Sequence, residues 1–158
     1  MVSSHTDEGG QSAHGSGAAA RARDAGLKPC PTILVVEDDP QGGALFASAL
    51  LRGGYWVVSA SDGRDAVRTV ARGGIDLIVT DLHLPHMDGI ELVTKLRQAG
   101  KTIPIIVISG AFMGTTRHVL HAAELLGAQL ALEKPFPLSR LVDAAHRLVG
   151  PPTPRTIS

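Results

Sequence analysis

The stretch TILVVEDDP, Thr32 to Pro40, ends an aliphatic run in three consecutive carboxylates, Glu37, Asp38 and Asp39, and then a proline. Clustered carboxylates repel one another, and a buried one is driven to take up a proton. Such a cluster is kept only where something neutralises it. Three other aliphatic runs end in groups able to join it: Asp81 in IVTD, Ser109 in VIS and Lys134 in LEKPF. Oxygen donors with few other ligand types among them suit a hard cation such as Mg²⁺. A metal ion is the simplest missing partner of the carboxylates.

The elements that must gather these residues are legible as alternation. Ile33–Val36, Trp56–Ser59, Leu77–Thr80, Ile105–Ile108 and Gln129–Leu132 read as strands, the first buried on both faces. Amphipathic segments near 40–52, 64–72, 88–99, 115–126 and 138–149 read as helices. Ala66, Val67, Val70 and Ala71, and then Ile90, Val93 and Leu96, keep helical spacing. Glycines 53–54, 73–74, 100 and 127 stand where helices should stop, and Pro104 precedes the fourth strand. Five successive βα units imply an α/β fold, a parallel sheet with helices on both faces and right-handed crossovers. Ligands then bind beyond the carboxyl ends of the strands, where strand order reverses. Glu37, Asp38, Asp81, Ser109 and Lys134 all fall at such ends.

Composition narrows the setting. Lys plus Arg and Asp plus Glu number 15 each in 158 residues, which gives no overall bias toward nucleic acid or an anionic membrane. The single cysteine, Cys30, excludes an internal disulfide framework and fits a reducing cytoplasm. No apolar run approaches the roughly 20 residues that span a bilayer. Residues 1–31, rich in Gly, Ser and Ala, read as a disordered extension. Residues 150–158 read as a short Pro-rich tail, which leaves the chemistry to a domain over 32–149.

Within that span ILVVEDDP, DLHLPHMDG, VISGA and EKPF occur in order at the right strand ends, and together they resemble the receiver domain of two-component response regulators. The resemblance implies a flavodoxin-like, doubly wound five-stranded sheet in the order 2-1-3-4-5 with five helices. It makes Asp81 the phosphoryl acceptor. Glu37, Asp38, Asp81 and the backbone carbonyl of His83 become the Mg²⁺ ligands. Ser109 matches the switch hydroxyl, and Lys134 the family's lysine, aimed into the site by a cis bond to Pro135. It further implies phosphate from a histidine kinase or histidine phosphotransferase, and its later loss by hydrolysis. The chemistry is consistent: a carboxylate approaching phosphoryl oxygens needs a divalent cation as screen, and an ammonium and a hydroxyl stabilise the equatorial charge.

Other acids and histidines have plainer readings. Asp39 before Pro40 fits an N-cap with proline at N1, and Asp88 fits the cap of the third helix. His83-x-x-His86 and His118-x-x-His121 lack the closed ligand set of a structural zinc site and read as solvated or partly packed. Arg64, Arg68 and Arg72 read as a solvated row. Two departures from the family pattern fall on the output face of fourth helix, fifth strand and fifth helix, where a downstream protein would dock. Ala131 stands where a ring is usual, and the stretch after Ser109 is longer, so GAFMGTTRHV, residues 110–118 at its core, is expected to be the moving part. With nine residues after the last helix, the expectation is a stand-alone, Mg²⁺-dependent switch rather than a turnover enzyme, acting on neither nucleic acid nor membrane. The alternatives are a phosphorylation-independent interaction module and a small Mg²⁺-dependent aspartyl phosphohydrolase. The intact residue set argues against the first. His83, where such enzymes carry a second Asp, argues against the other.

Overall fold

Aliphatic runs with no polar interruption must be covered on both sides, which a parallel sheet between helix layers achieves. The computed structural model, which describes residues 30–110 and 116–153, has this arrangement. The elements are β1 (Thr32–Val36), α1 (Pro40–Arg52), β2 (Trp56–Ala60), α2 (Gly63–Ala71), β3 (Leu77–Asp81), α3 (Gly89–Gln98), β4 (Ile105–Gly110), α4 (Thr116–Leu125), β5 (Leu130–Lys134) and α5 (Leu138–Val149). The five strands form one parallel sheet in the order β2-β1-β3-β4-β5, a doubly wound fold. Most of the expected disordered extension, residues 1–29, lies outside the described residues. So do 111–115 of the expected moving segment and 154–158 of the tail.

Side chains alternate across a strand, and here the alternation divides the core in two. Leu34, Val36, Ile78, Ile105 and Val107 pack with α2, α3 and α4. Ile33, Val35, Leu77, Val79, Ile106 and Ile108 pack with α1 and α5. Each central strand thus feeds both layers, and its middle positions are aliphatic apart from the buried Thr80 of β3. β1 stops at Val36 as expected, while the other four strands run one or two residues past their expected ends. Asp81, Ser109 and Lys134 are therefore ladder residues, paired in register as Asp81 with Ile108, Ser109 with Glu133 and Gly110 with Lys134.

The helix starts follow their caps. Asp39 accepts from the Gln41 and Gly42 amides with Pro40 in the first turn, and Asp88 accepts from Glu91. The start of α2 is capped by Asp62, one residue earlier than its apolar spacing suggests, because the Asp62 carboxylate accepts from the Asp65 amide. Ala131 is half-buried against the α2–α4 layer, opposite Val107. Two long-range ties were not legible in advance. The Arg97 guanidinium donates to the carbonyls of Lys101, Ile103 and Gly127 and to Gln129, joining the end of α3 to the loop after α4. The first residues of the tail are packed rather than loose: Tyr55 donates its hydroxyl to the Gly150 carbonyl at 2.9 Å, and Pro152 lies over Gly54.

One glycine controls how closely α3 approaches β3. A Cβ on Gly89 would lie 2.6 Å from the Asp81 carbonyl oxygen and 2.9 Å from Leu82 Cα, both backbone atoms that cannot step aside. The Gly89 amide meanwhile donates to the Leu82 carbonyl at 2.8 Å. Gly89→Ala is therefore expected to destabilise the fold by about 1–3 kcal/mol, as overpacking does. Urea unfolding checks this, and an unchanged midpoint would show that α3 can retreat freely.

Candidate functional site

The reversal of strand order lies between β1 and β3, and their carboxyl ends hold the acidic residues. Glu37 follows β1 directly, and its amide extends the ladder by donating to the Ala60 carbonyl. Asp81 is the last residue of β3. Both are buried, at 8% and 7% exposure, far below what is usual for acids. Lys134, at the tip of β5, spans the gap. Its Nζ lies 3.1 Å from Asp81 Oδ2 and 3.8 Å from Glu37 Oε2. The Lys134–Pro135 peptide bond is cis. The structure therefore brings Glu37, Asp81 and Lys134 together.

The remaining expected residues sit around this group. Ser109 is buried beside it on β4, and its hydroxyl donates to the Gly110 carbonyl at 3.2 Å. His83 sits on the loop after β3 and donates its amide N–H to Asp81 Oδ1 at 2.9 Å. Its side chain is exposed, as are those of His86, His118 and His121. Asp38 is exposed next to Glu37, and Asp39 serves the helix as its cap. Arg64, Arg68 and Arg72 are all exposed.

Burial and contact divide the two acids. Burial pushes the Glu37 carboxyl up to about 8, helped by the neighbouring Asp81 carboxylate and opposed by the Asp39 amide. Burial also acts to raise Asp81, but the proximity of Glu37 and the hydrogen bonds from the His83 amide and Lys134 outweigh it and hold Asp81 below the ordinary carboxylate range. Burial thus favours the protonated form of Glu37 and leaves Asp81 as the charged partner of Lys134. Glu37 Oε1 accepts from the Asp39 amide, while Oε2 is buried with no hydrogen-bond partner. A buried oxygen without a partner is costly, and it is the kind of atom a hard cation satisfies. Among the described residues no three metal-ligating side chains are yet gathered, since Asp38 stays at the surface. As donors, Glu37, Asp38 and Asp81 fit Mg²⁺ in type.

An aromatic pair completes the site. The Lys134 ammonium lies over the Phe46 ring, 5.5 Å from its centroid, and Phe46 stacks on Phe136 at 6.1 Å. Phe136 belongs to the EKPF stretch, but Phe46 did not stand out in the sequence. Phe46 reads there as one apolar residue on the inner face of α1, and nothing local shows that Lys134 will lie over it.

The comparison with known proteins decides the family. The model of the response regulator receiver domain matches residues 33–146. The chain belongs to the response regulator receiver family. This receiver is 38% identical over 128 residues to the transcriptional regulatory protein TcrA of Mycobacterium tuberculosis, covering 79% of this chain and 49% of TcrA. It is 34% identical over 110 residues to the sensor histidine kinase RcsC of Salmonella typhi, covering 69% of this chain and 11% of RcsC. The chain thus spans about half the length of TcrA and a small part of RcsC. Among solved structures it resembles the receiver domain of the Francisella response regulator 1452, with TM-score 0.70, 26% identity and coverage of 75% of this chain and 96% of that one. The receiver fold is as the sequence motifs implied. No helix among the described residues is long and apolar enough to cross a membrane.

The raised Glu37 has a consequence for stability. Unfolded, Glu37 titrates near 4.5; folded, near 8, so the folded chain holds an extra proton between these values. Stability from this group is complete below pH 4.5 and declines as pH rises to about 8. In metal-free protein, wild type should lose stability across this window by on the order of a few kcal/mol relative to Glu37→Gln. Denaturant midpoints from pH 5 to 8 measure it, and parallel curves for the two proteins would refute a buried, protonated Glu37.

Proposed function

We propose that this receiver accepts a phosphoryl group on Asp81 from a phosphohistidine donor, a histidine kinase or histidine phosphotransferase, and thereby switches its contacts with another protein. The observation that carries this reading is the ionised Asp81 at the switch point of the sheet, with the Lys134 ammonium 3.1 Å away. The His83 amide fixes Oδ1, so Oδ2, facing Lys134, is the oxygen presented to phosphorus. A new bond forms between Oδ2 and phosphorus as the bond from phosphorus to the donor nitrogen breaks, and that nitrogen keeps the electron pair. Lys134 balances the negative charge that collects on the phosphoryl oxygens. The Ser109 hydroxyl, on the adjoining strand tip, turns from the Gly110 carbonyl to donate to one of them. Attack by water on phosphorus later releases phosphate and restores the Asp81 carboxylate.

Glu37, Asp38, Asp81 and the His83 carbonyl would hold Mg²⁺. When bound, the ion screens the carboxylates from the phosphoryl oxygens and neutralises charge in transfer. The reading agrees with the family membership and with the relatives, which are named as a transcriptional regulator and a sensor histidine kinase. The face formed by α4, β5 and α5 is the proposed site of downstream contact.

Two experiments test the assignment. With acetyl phosphate and Mg²⁺, wild type should gain one phosphoryl group by intact mass, labile to hydroxylamine, and Asp81→Ala should gain none. Equal modification of Asp81→Ala would place the acceptor elsewhere. In calorimetric titration, Asp38→Asn should severely weaken Mg²⁺ binding through loss of a charged ligand. Asp39→Ala should leave binding nearly unchanged and cost about 1 kcal/mol of stability through the lost cap. An exchange of these two phenotypes would shift the metal pair by one residue.

A further inference from the structure

The ammonium of Lys134 has more freedom than its role requires. A lysine side chain is flexible and strongly hydrated, and this one is 37% exposed, so water competes for the charge. On the protein side, Asp81 Oδ2 is within hydrogen-bond distance, but Glu37 Oε2 at 3.8 Å is beyond it. Among the described residues the ammonium also lies over the face of Phe46, 5.5 Å from its centroid. That ring is itself well held. It is 7% exposed, stands on α1 beside the buried Ala49 and Leu50, and lies nearly parallel to Phe136 with 7° between ring planes. A ring face attracts a cation, and more strongly where water is partly excluded.

We propose, resting on the phosphoryl-transfer reading above, that Phe46 is a positioning residue, its ring holding the Lys134 ammonium at Asp81 before the phosphoryl group arrives. The ring has no part in bond making. In transfer from acetyl phosphate, Asp81 Oδ2 bonds to phosphorus while the bond from phosphorus to the acetate oxygen breaks, and acetate leaves with the electron pair. Phe46 acts earlier, by keeping the ammonium where charge will develop, so that less reorganisation remains at the moment of transfer. Any apolar residue of similar size would fill the core at this position. The face of an aromatic ring does more, because its charge distribution holds an ammonium over it.

The test separates ring electronics from packing. Fluorinated phenylalanines placed at position 46 withdraw charge from the ring face and nearly preserve its shape. The rate of phosphoryl gain, followed by intact mass with acetyl phosphate and Mg²⁺, should fall stepwise with fluorination, to roughly threefold to tenfold below wild type. Phe46→Leu should show a loss of the same order, and Phe46→Tyr should restore a near-wild-type rate. In metal-free protein, the Lys134 methylene protons next to the ammonium should carry a ring-current shift that is lost in Phe46→Leu and kept in Phe46→Tyr. A flat fluorination series in a wild type that does gain the group, or an unshifted Lys134 signal, overturns the inference alone. A wild type that gains no phosphoryl group overturns the proposed function and this inference with it.

Discussion

The burial of two carboxylates against one ammonium, Glu37 and Asp81 with Lys134, is the constraint on which the rest of the structure depends. Two acids at under a tenth of full exposure would repel each other and favour neutral forms without a compensating charge. The contact of Lys134 with Asp81 answers one acid, and a proton answers the other. One group is left charged, while its neighbour is uncharged and has a buried oxygen with no hydrogen-bond partner. This polarised state follows from the environment and not from the side chains, which are both simple carboxylic acids.

Holding three residues from three distant parts of the chain in one place requires rigid supports. The parallel ladder supplies them, because Asp81 and Lys134 are paired within their strands and do not hang from loops. The two core layers fix those strands from both sides, with each strand contributing alternate residues to each layer. Near the site, the close approach of α3 to the Asp81–Leu82 backbone depends on Gly89, and the start of α1 depends on Asp39. Farther away, Arg97 fastens the loop after α4 by carbonyl contacts, so the end of that helix is anchored from beneath.

Much of this was legible locally. Aliphatic runs ending in Glu37, Asp81, Ser109 and Lys134, separated by amphipathic segments, define strands whose tips meet, and the Asp39–Pro40 and Asp88 caps follow from short-range chemistry. Where the strands stop was less legible: the aliphatic runs end at Ile108 and Leu132, but ladder pairing across the sheet extends to Gly110 and Lys134. The residues after α5 read only as a short Pro-rich tail, yet Gly150 and Pro152 meet Tyr55 and Gly54, residues nearly a hundred positions earlier. Local pattern carries no record of such meetings.

What the sequence by itself determined is therefore the element order, the alternation of faces and the set of chemical groups at the sheet edge. These depend on periodicity, caps and residue type, all of which act over a few residues. Only the tertiary structure decided which acid keeps its proton, which oxygen lies unpartnered and which aromatic ring lies under the ammonium. Those outcomes depend on desolvation and on distances of a few ångströms between Glu37, Phe46, Asp81 and Lys134, residues up to 97 positions apart in the chain. They exist only once packing has excluded water and closed those distances.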